Sequence, residues 1–208
     1  MPFDLSLYLV TDASLCRGYG LEETVAAAVK GGVTIVQLRD KHASDAEMID
    51  QAKRLKEVLA GTGVPLIIND RLNVALASGA DGLHVGQSDT AAQQARAALG
   101  PEAIIGLSIN TPEQLEKAPI ELLDYLGMGP VFATRSKRDH AQPLGFAGLR
   151  ALVEASPLRC VAIGGLKAQH MQDAREAGVD GAAIVSALCG QPDPEASARQ
   201  LLKHWSAI

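Results

Sequence analysis

Short apolar runs alternate with longer amphipathic stretches along the whole chain. The runs at 7–11 (LYLVT), 34–39 (TIVQLR), 65–69 (PLIIN), 82–86 (GLHVG), 104–108 (IIGLS), 124–128 (DYLGM), 160–164 (CVAIG) and 182–186 (AAIVS) have strand length and turn residues at their ends, which predicts buried strands. Between them a helical period is clearest over 21–30, 45–59 and 168–177. The glycines of KGG (30–32), ASGA (77–80) and EAGV (176–179) stand where a helix can end in the left-handed conformation.

Helix, glycine, buried strand recurs about every 25 residues, the signature of serial βα units with a parallel sheet. Eight such units predict a single (β/α)8 TIM barrel over residues 1–208, with its active site at the C-terminal ends of the strands. The alternative is a doubly wound open sheet. No G-x-G-x-x-G follows the first run, and polar residues end most strands instead of clustering at one switch point. The one long connection, 129–146 (GPVFATRSKRDHAQPLGF), reads as a mobile functional loop.

The pattern of charge narrows the partners. A net charge of -5, with no long basic run, argues against nucleic acid or an anionic membrane. An anion must therefore be met locally. Cys16, Cys160 and Cys189 show neither CxxC spacing nor a metal-binding companion, so they read as reduced core or loop residues of a cytoplasmic protein. The N-terminus has no leader pattern, and no apolar run reaches the ~20 residues of a membrane span. The sequence leaves the oligomeric state open, a homo-oligomer included.

Candidate chemistry begins in VQLRDK (36–41). With a side-chain period of two, Val33, Ile35, Gln37, Arg39 and Lys41 share one face, apolar first and polar at the strand's end. Three long polar arms there can converge on an extended anion, although Arg39 could instead pair with a carboxylate and Lys41 be solvated. Asn69-Asp70 after the third strand and Asp89 after the fourth offer hard oxygen ligands suited to Mg2+ with a phosphorylated substrate; taken singly, both are also ordinary turn sequences. Gly164-Gly165 after the seventh strand and Val185-Ser186 at the end of the eighth suit a backbone phosphate site, or two routine turns. The loop segment Thr134, Arg135, Ser136, Lys137 could close over a phosphate. His84, within a strand, is by itself more often a core histidine. Two anion sites in one barrel suit a transferase joining two phosphorylated small molecules.

VQLRDK, IIND, ADGLHVGQSD, GLS, GPVFATRSK and AIGGL, in this order from Tyr8 to Ser186, resemble the thiamine-phosphate synthase family. The resemblance implies condensation of hydroxymethylpyrimidine diphosphate with a thiazole phosphate, or its carboxylated form, giving thiamine phosphate and pyrophosphate. It implies diphosphate binding by Gln37, Leu38, Arg39, Asp40, Lys41, Asn69 and Lys137, with Arg39, Lys41 and Lys137 catalytic, and Mg2+ on Asp70 and Asp89. Ser108, Tyr8, His84 and Ile163 would line the pyrimidine pocket; Thr134, Arg135, Ser136, Gly165, Val185 and Ser186 would hold the thiazole phosphate. Pyrophosphate would leave before the thiazole nitrogen attacks, so no nucleophile or general base is needed. Ser136 replaces a frequent second Thr, and Leu144 a frequent Gln. The rivals are a thiazole tautomerase paralogue, a sugar-phosphate isomerase barrel and a noncatalytic metabolite-binding protein.

Overall fold

The computed structural model describes residues 3–87, 91–134 and 141–206. Parallel strands β1 (Leu7–Val10), β2 (Ile35–Leu38), β3 (Leu66–Asn69), β4 (Gly82–Val85), β5 (Ile104–Ile109), β6 (Tyr125–Met128), β7 (Cys160–Ile163) and β8 (Gly181–Ile184) follow one another around a closed barrel, β8 pairing back onto β1. All eight expected runs become strands, and closure rules out the open sheet. Almost every strand residue is buried, as a parallel sheet enclosed by helices requires. Alternate residues divide between two cores. Leu9, Val36, Leu38, Ile68 and Leu126 pack outward under the helices, while Tyr8, Val10, Ile35, Ile67, Tyr125 and Val161 fill the barrel. Val33 precedes β2 and joins the outer core, so the shared face expected from Val33 begins at Ile35.

Around the strands run α1 (Ala13–Cys16), α2 (Leu21–Lys30), α3 (Asp45–Leu59), α4 (Leu72–Ser78), α5 (Ala91–Leu99), α6 (Pro112–Glu116), α7 (Gly145–Ala155), α8 (Met171–Glu176) and α9 (Pro194–Ser206). In α3, Met48, Ala52, Leu55 and Leu59 recur at helical spacing and are buried, and Ser44 with Glu47 forms a capping box at its start. The expected helix over 168–177 opens instead with a 3-10 turn, Ala168–His170. Where α2 meets α9, a Cβ on Gly31 would stand 2.4 Å from the Glu195 carbonyl, so only glycine lets the first and last long helices close the outer ring. Cys16, Cys160 and Cys189 are buried free thiols.

The floor of the barrel carries a device repeated once per pair of strands. Asp81, just before β4, accepts the Leu66 N–H at 2.8 Å; Asp124, before β6, accepts the Ile105 N–H at 2.7 Å; Asp180, before β8, accepts the Cys160 N–H at 2.8 Å. In each case the aspartate's own N–H returns to the carbonyl of the same partner, at 2.8 Å. Thr34, before β2, makes the same reciprocal pair with Leu7. These clamps satisfy a donor at the start of each odd strand, and they fix the register that aims the opposite strand ends into one pocket.

Candidate active site

Every strand ends at the same mouth, and the barrel-facing residues there line a cavity of about 250 Å³. Of the expected site residues, Tyr8, Gln37, Arg39, Lys41, Asn69, Asp70, His84, Ser108, Thr134, Ile163, Gly165, Val185 and Ser186 all line it. Asp89, Arg135, Ser136 and Lys137 lie outside the described residues. Two expected residues send their side chains elsewhere. Leu38 is 1% exposed in the outer core, on the opposite face from Gln37. Asp40 turns away: its carboxylate accepts the His42 and Ala43 N–H groups at 2.9 and 3.1 Å and makes the turn that leads into α3. Burial alone would raise the Asp40 carboxyl, but those bonds hold it below its ordinary value.

β2 stops at Leu38, so Arg39 and Lys41 need other supports. The Arg39 N–H donates to Thr11 Oγ1 at 3.0 Å, and Thr11 N–H donates to the Gln37 carbonyl at 2.9 Å, which continues the β1–β2 pairing by one side chain. The loop bearing Lys41 is held from below by Arg71, whose guanidinium donates to the Ala43 and Asp40 carbonyls at 2.6 and 3.2 Å. Arg71 also pairs with Asp45 at 3.0 Å. Its role was not legible in sequence, because its acceptors lie some thirty residues earlier. Opposite the cations, Asp70 occupies the left-handed region at φ 62, uncommon for residues other than glycine, with asparagine and aspartate the usual exceptions. Its N–H donates to the His84 carbonyl and its carboxylate accepts from Asn69 Nδ2 at 2.7 Å.

Asp70 supplies one hard oxygen ligand to the pocket. Mg2+ is held by one or two carboxylates together with substrate oxygens, and the Asp70 carboxylate is a donor of that type at the pocket wall.

The pocket floor is a chain of hydrogen bonds: Gln37 Nε2 to Tyr8 Oη (2.8 Å), Tyr8 Oη to Tyr125 Oη (2.7 Å), Tyr125 Oη to His84 Nδ1 (2.8 Å) and His84 Nε2 to Ser108 Oγ (2.9 Å). Burial pushes both tyrosine hydroxyls well above their ordinary range, so they are neutral. Tyr125 was missed in the sequence. The available signal was a tyrosine with glycines two and four positions later, Gly127 and Gly129, on one strand face.

The long loop is fastened at its base. Val131 N–H donates to Ile163 O and Phe132 N–H to Gly164 O, while Leu144 and Gly145 N–H groups return to Pro130 O and Val131 O. Above this base Phe146 meets Phe132 and His170 edge to face, and the Phe132 and His170 rings are tilted against each other. Gly164 (φ 101) and Gly165 (φ 68) serve that contact, since a Cβ on either would lie within 2.5–2.9 Å of Pro130, Phe132 or Ala133. They stand ahead of a 3-10 turn, so the helix N-terminus expected directly after them is absent.

The family pattern described as thiamine monophosphate synthase matches residues 7–188. A thiamine-phosphate synthase of Psychrobacter sp. (strain PRwf-1) is 51% identical over 201 residues, 95% of this chain and 94% of the relative. One from Xanthobacter autotrophicus is 50% identical over 200 residues, 96% and 95% of the two chains. The solved thiamine phosphate pyrophosphorylase from Pyrococcus furiosus superimposes with a TM-score of 0.86 at 34% identity, covering 97% of this chain and 95% of that one. The chain therefore belongs to the thiamine monophosphate synthase family.

Proposed function

We propose that this chain condenses 4-amino-2-methyl-5-hydroxymethylpyrimidine diphosphate with 4-methyl-5-(2-phosphoethyl)thiazole, or its 2-carboxy form, giving thiamine phosphate and pyrophosphate. The observation that carries this reading is the meeting of Gln37, Arg39, Lys41, Asn69 and Asp70 at one wall of the cavity. An isomerase of sugar phosphates would use Gly165 and Ser186 but leave those cations without a role.

Arg39, Lys41 and Lys137 bind the diphosphate and stabilise charge as it accumulates on the leaving group. Gln37 and Asn69 orient it. Asp70 and Asp89 would hold Mg2+, which when bound adds a divalent charge against the diphosphate oxygens. Ser108, Tyr8, His84 and Ile163 fix the pyrimidine, whose methylene carbon loses pyrophosphate. Thr134, Arg135, Ser136, Gly165, Val185 and Ser186 hold the thiazole phosphate so that the ring nitrogen stands in line with that carbon. Departure of pyrophosphate before attack requires no base.

The test is pyrophosphate release from purified protein with both substrates, with and without EDTA. Release that needs both substrates and Mg2+ is expected. Turnover indifferent to EDTA would refute the metal assignment; binding of both substrates without release would refute the enzyme reading.

A further inference from the structure

The floor chain has a direction. Gln37 Nε2 donates to Tyr8 Oη, so the hydroxyl proton of Tyr8 serves its contact with Tyr125. Tyr125 Oη then gives its one proton to His84 Nδ1, which leaves the imidazole N–H on Nε2, against Ser108 Oγ. The opposite order would leave the Tyr8 proton without an acceptor among the described residues, in a residue only 1% exposed. Ser108 Oγ therefore accepts from the histidine, and its own proton faces the pocket that Ser108 lines. Space for this arrangement is reserved by glycine. A Cβ on Gly106 would stand 2.2 Å from Tyr125 Cζ, and one on Gly127 would stand 3.0 Å from His84 Cε1.

We propose that Tyr125 is a positioning residue that fixes the His84 tautomer and thereby makes Ser108 a hydrogen-bond donor, so that this point of the pocket selects a heteroaromatic ring presenting a nitrogen lone pair. Naming that ring as the pyrimidine rests on the function proposed above; the polarity of the chain does not. Tyr125 acts without touching the ligand. A ring carrying an N–H or C–H at that point offers the Ser108 proton no acceptor and forgoes that bond.

The tautomer is read by 15N NMR of the ligand-free wild-type protein at a pH where His84 is neutral. Nδ1 is expected as the unprotonated nitrogen; an unprotonated Nε2 would overturn the inference. Tyr125→Phe should shift His84 toward the other tautomer and raise KM for the pyrimidine diphosphate about tenfold, the scale of one hydrogen bond, with KM for the thiazole phosphate unchanged. Ser108→Ala should cost the same, and the double variant no more than either alone. Additive losses would mean that Tyr125 supports the fold and nothing else. The wild-type spectrum decides the polarity even where a variant fails to fold. Absence of turnover in wild-type protein would refute the synthase reading and leave the tautomer result standing.

Discussion

Asp81→Ala removes the side-chain half of one floor clamp and, with it, the ion pair to Lys56. The Leu66 N–H loses its acceptor at 2.8 Å, and Leu66 is fully buried, so the donor has no water to turn to. Stranding a buried amide costs about 1–3 kcal/mol. The Lys56–Asp81 ion pair, also 2.8 Å, adds little, since both side chains are more than a third exposed and solvent screens them. We therefore expect a loss of ~2 kcal/mol, or a fall in Tm of ~4–8 °C at this chain length. Asp81→Asn keeps an oxygen for Leu66, and Lys56→Met removes only the ion pair; each should cost less than about 1 kcal/mol. Thermal unfolding followed by circular dichroism compares the three. The kcat of the folded protein should hold, because the clamp lies at the end of the barrel away from the pocket. If alanine and asparagine destabilise equally, the hydrogen bond to Leu66 is not what the aspartate contributes.

The remaining predictions concern the pocket. Arg39→Ala or Lys41→Ala should lower kcat by about 10²–10³, the scale for losing one preorganised donor to developing charge; full turnover in steady-state assays would contradict the assigned roles. Ser186→Ala should change little if backbone amides meet the thiazole phosphate, whereas Ser186→Leu should raise KM for that substrate, and an unchanged KM would count against the site. Gly106→Ala forces the Tyr125 ring aside, so it should cost ~1–3 kcal/mol in denaturant unfolding and weaken binding of the pyrimidine substrate together; a stable variant with unaltered KM would show that the ring has room to move.

The barrel was legible because a two-residue period marks strands and a glycine-terminated helical period marks what lies between them. Where the expectation slipped, the cause is local. VQLRDK is contiguous, but a strand sends neighbours to opposite faces, so Leu38 packs under the helices while Gln37 and Arg39 reach the pocket. Asp40 lies beyond the strand, where an aspartate's preference for bonding the N–H groups after it prevails. Val33 stands before the strand and follows the loop instead of the pleat. Tyr125 and Arg71 owe their roles to partners from other strands and loops, which no local pattern encodes. Gly164 and Gly165 line the pocket as expected of a ligand contact, and a Cβ on either would also crowd Pro130, Phe132 or Ala133, a second constraint that their sequence does not announce.

The fastening at 129–133 and 143–145 has a consequence for how such a barrel can change. Because the root is bonded to itself and to the end of β7, the two flanks of the loop leave and re-enter the barrel at fixed points. A substitution that loosens Phe132 or Leu144 would therefore disturb the strand end that carries Ile163 along with the loop, so the root is a poor place to vary and the strands inherit its constraint.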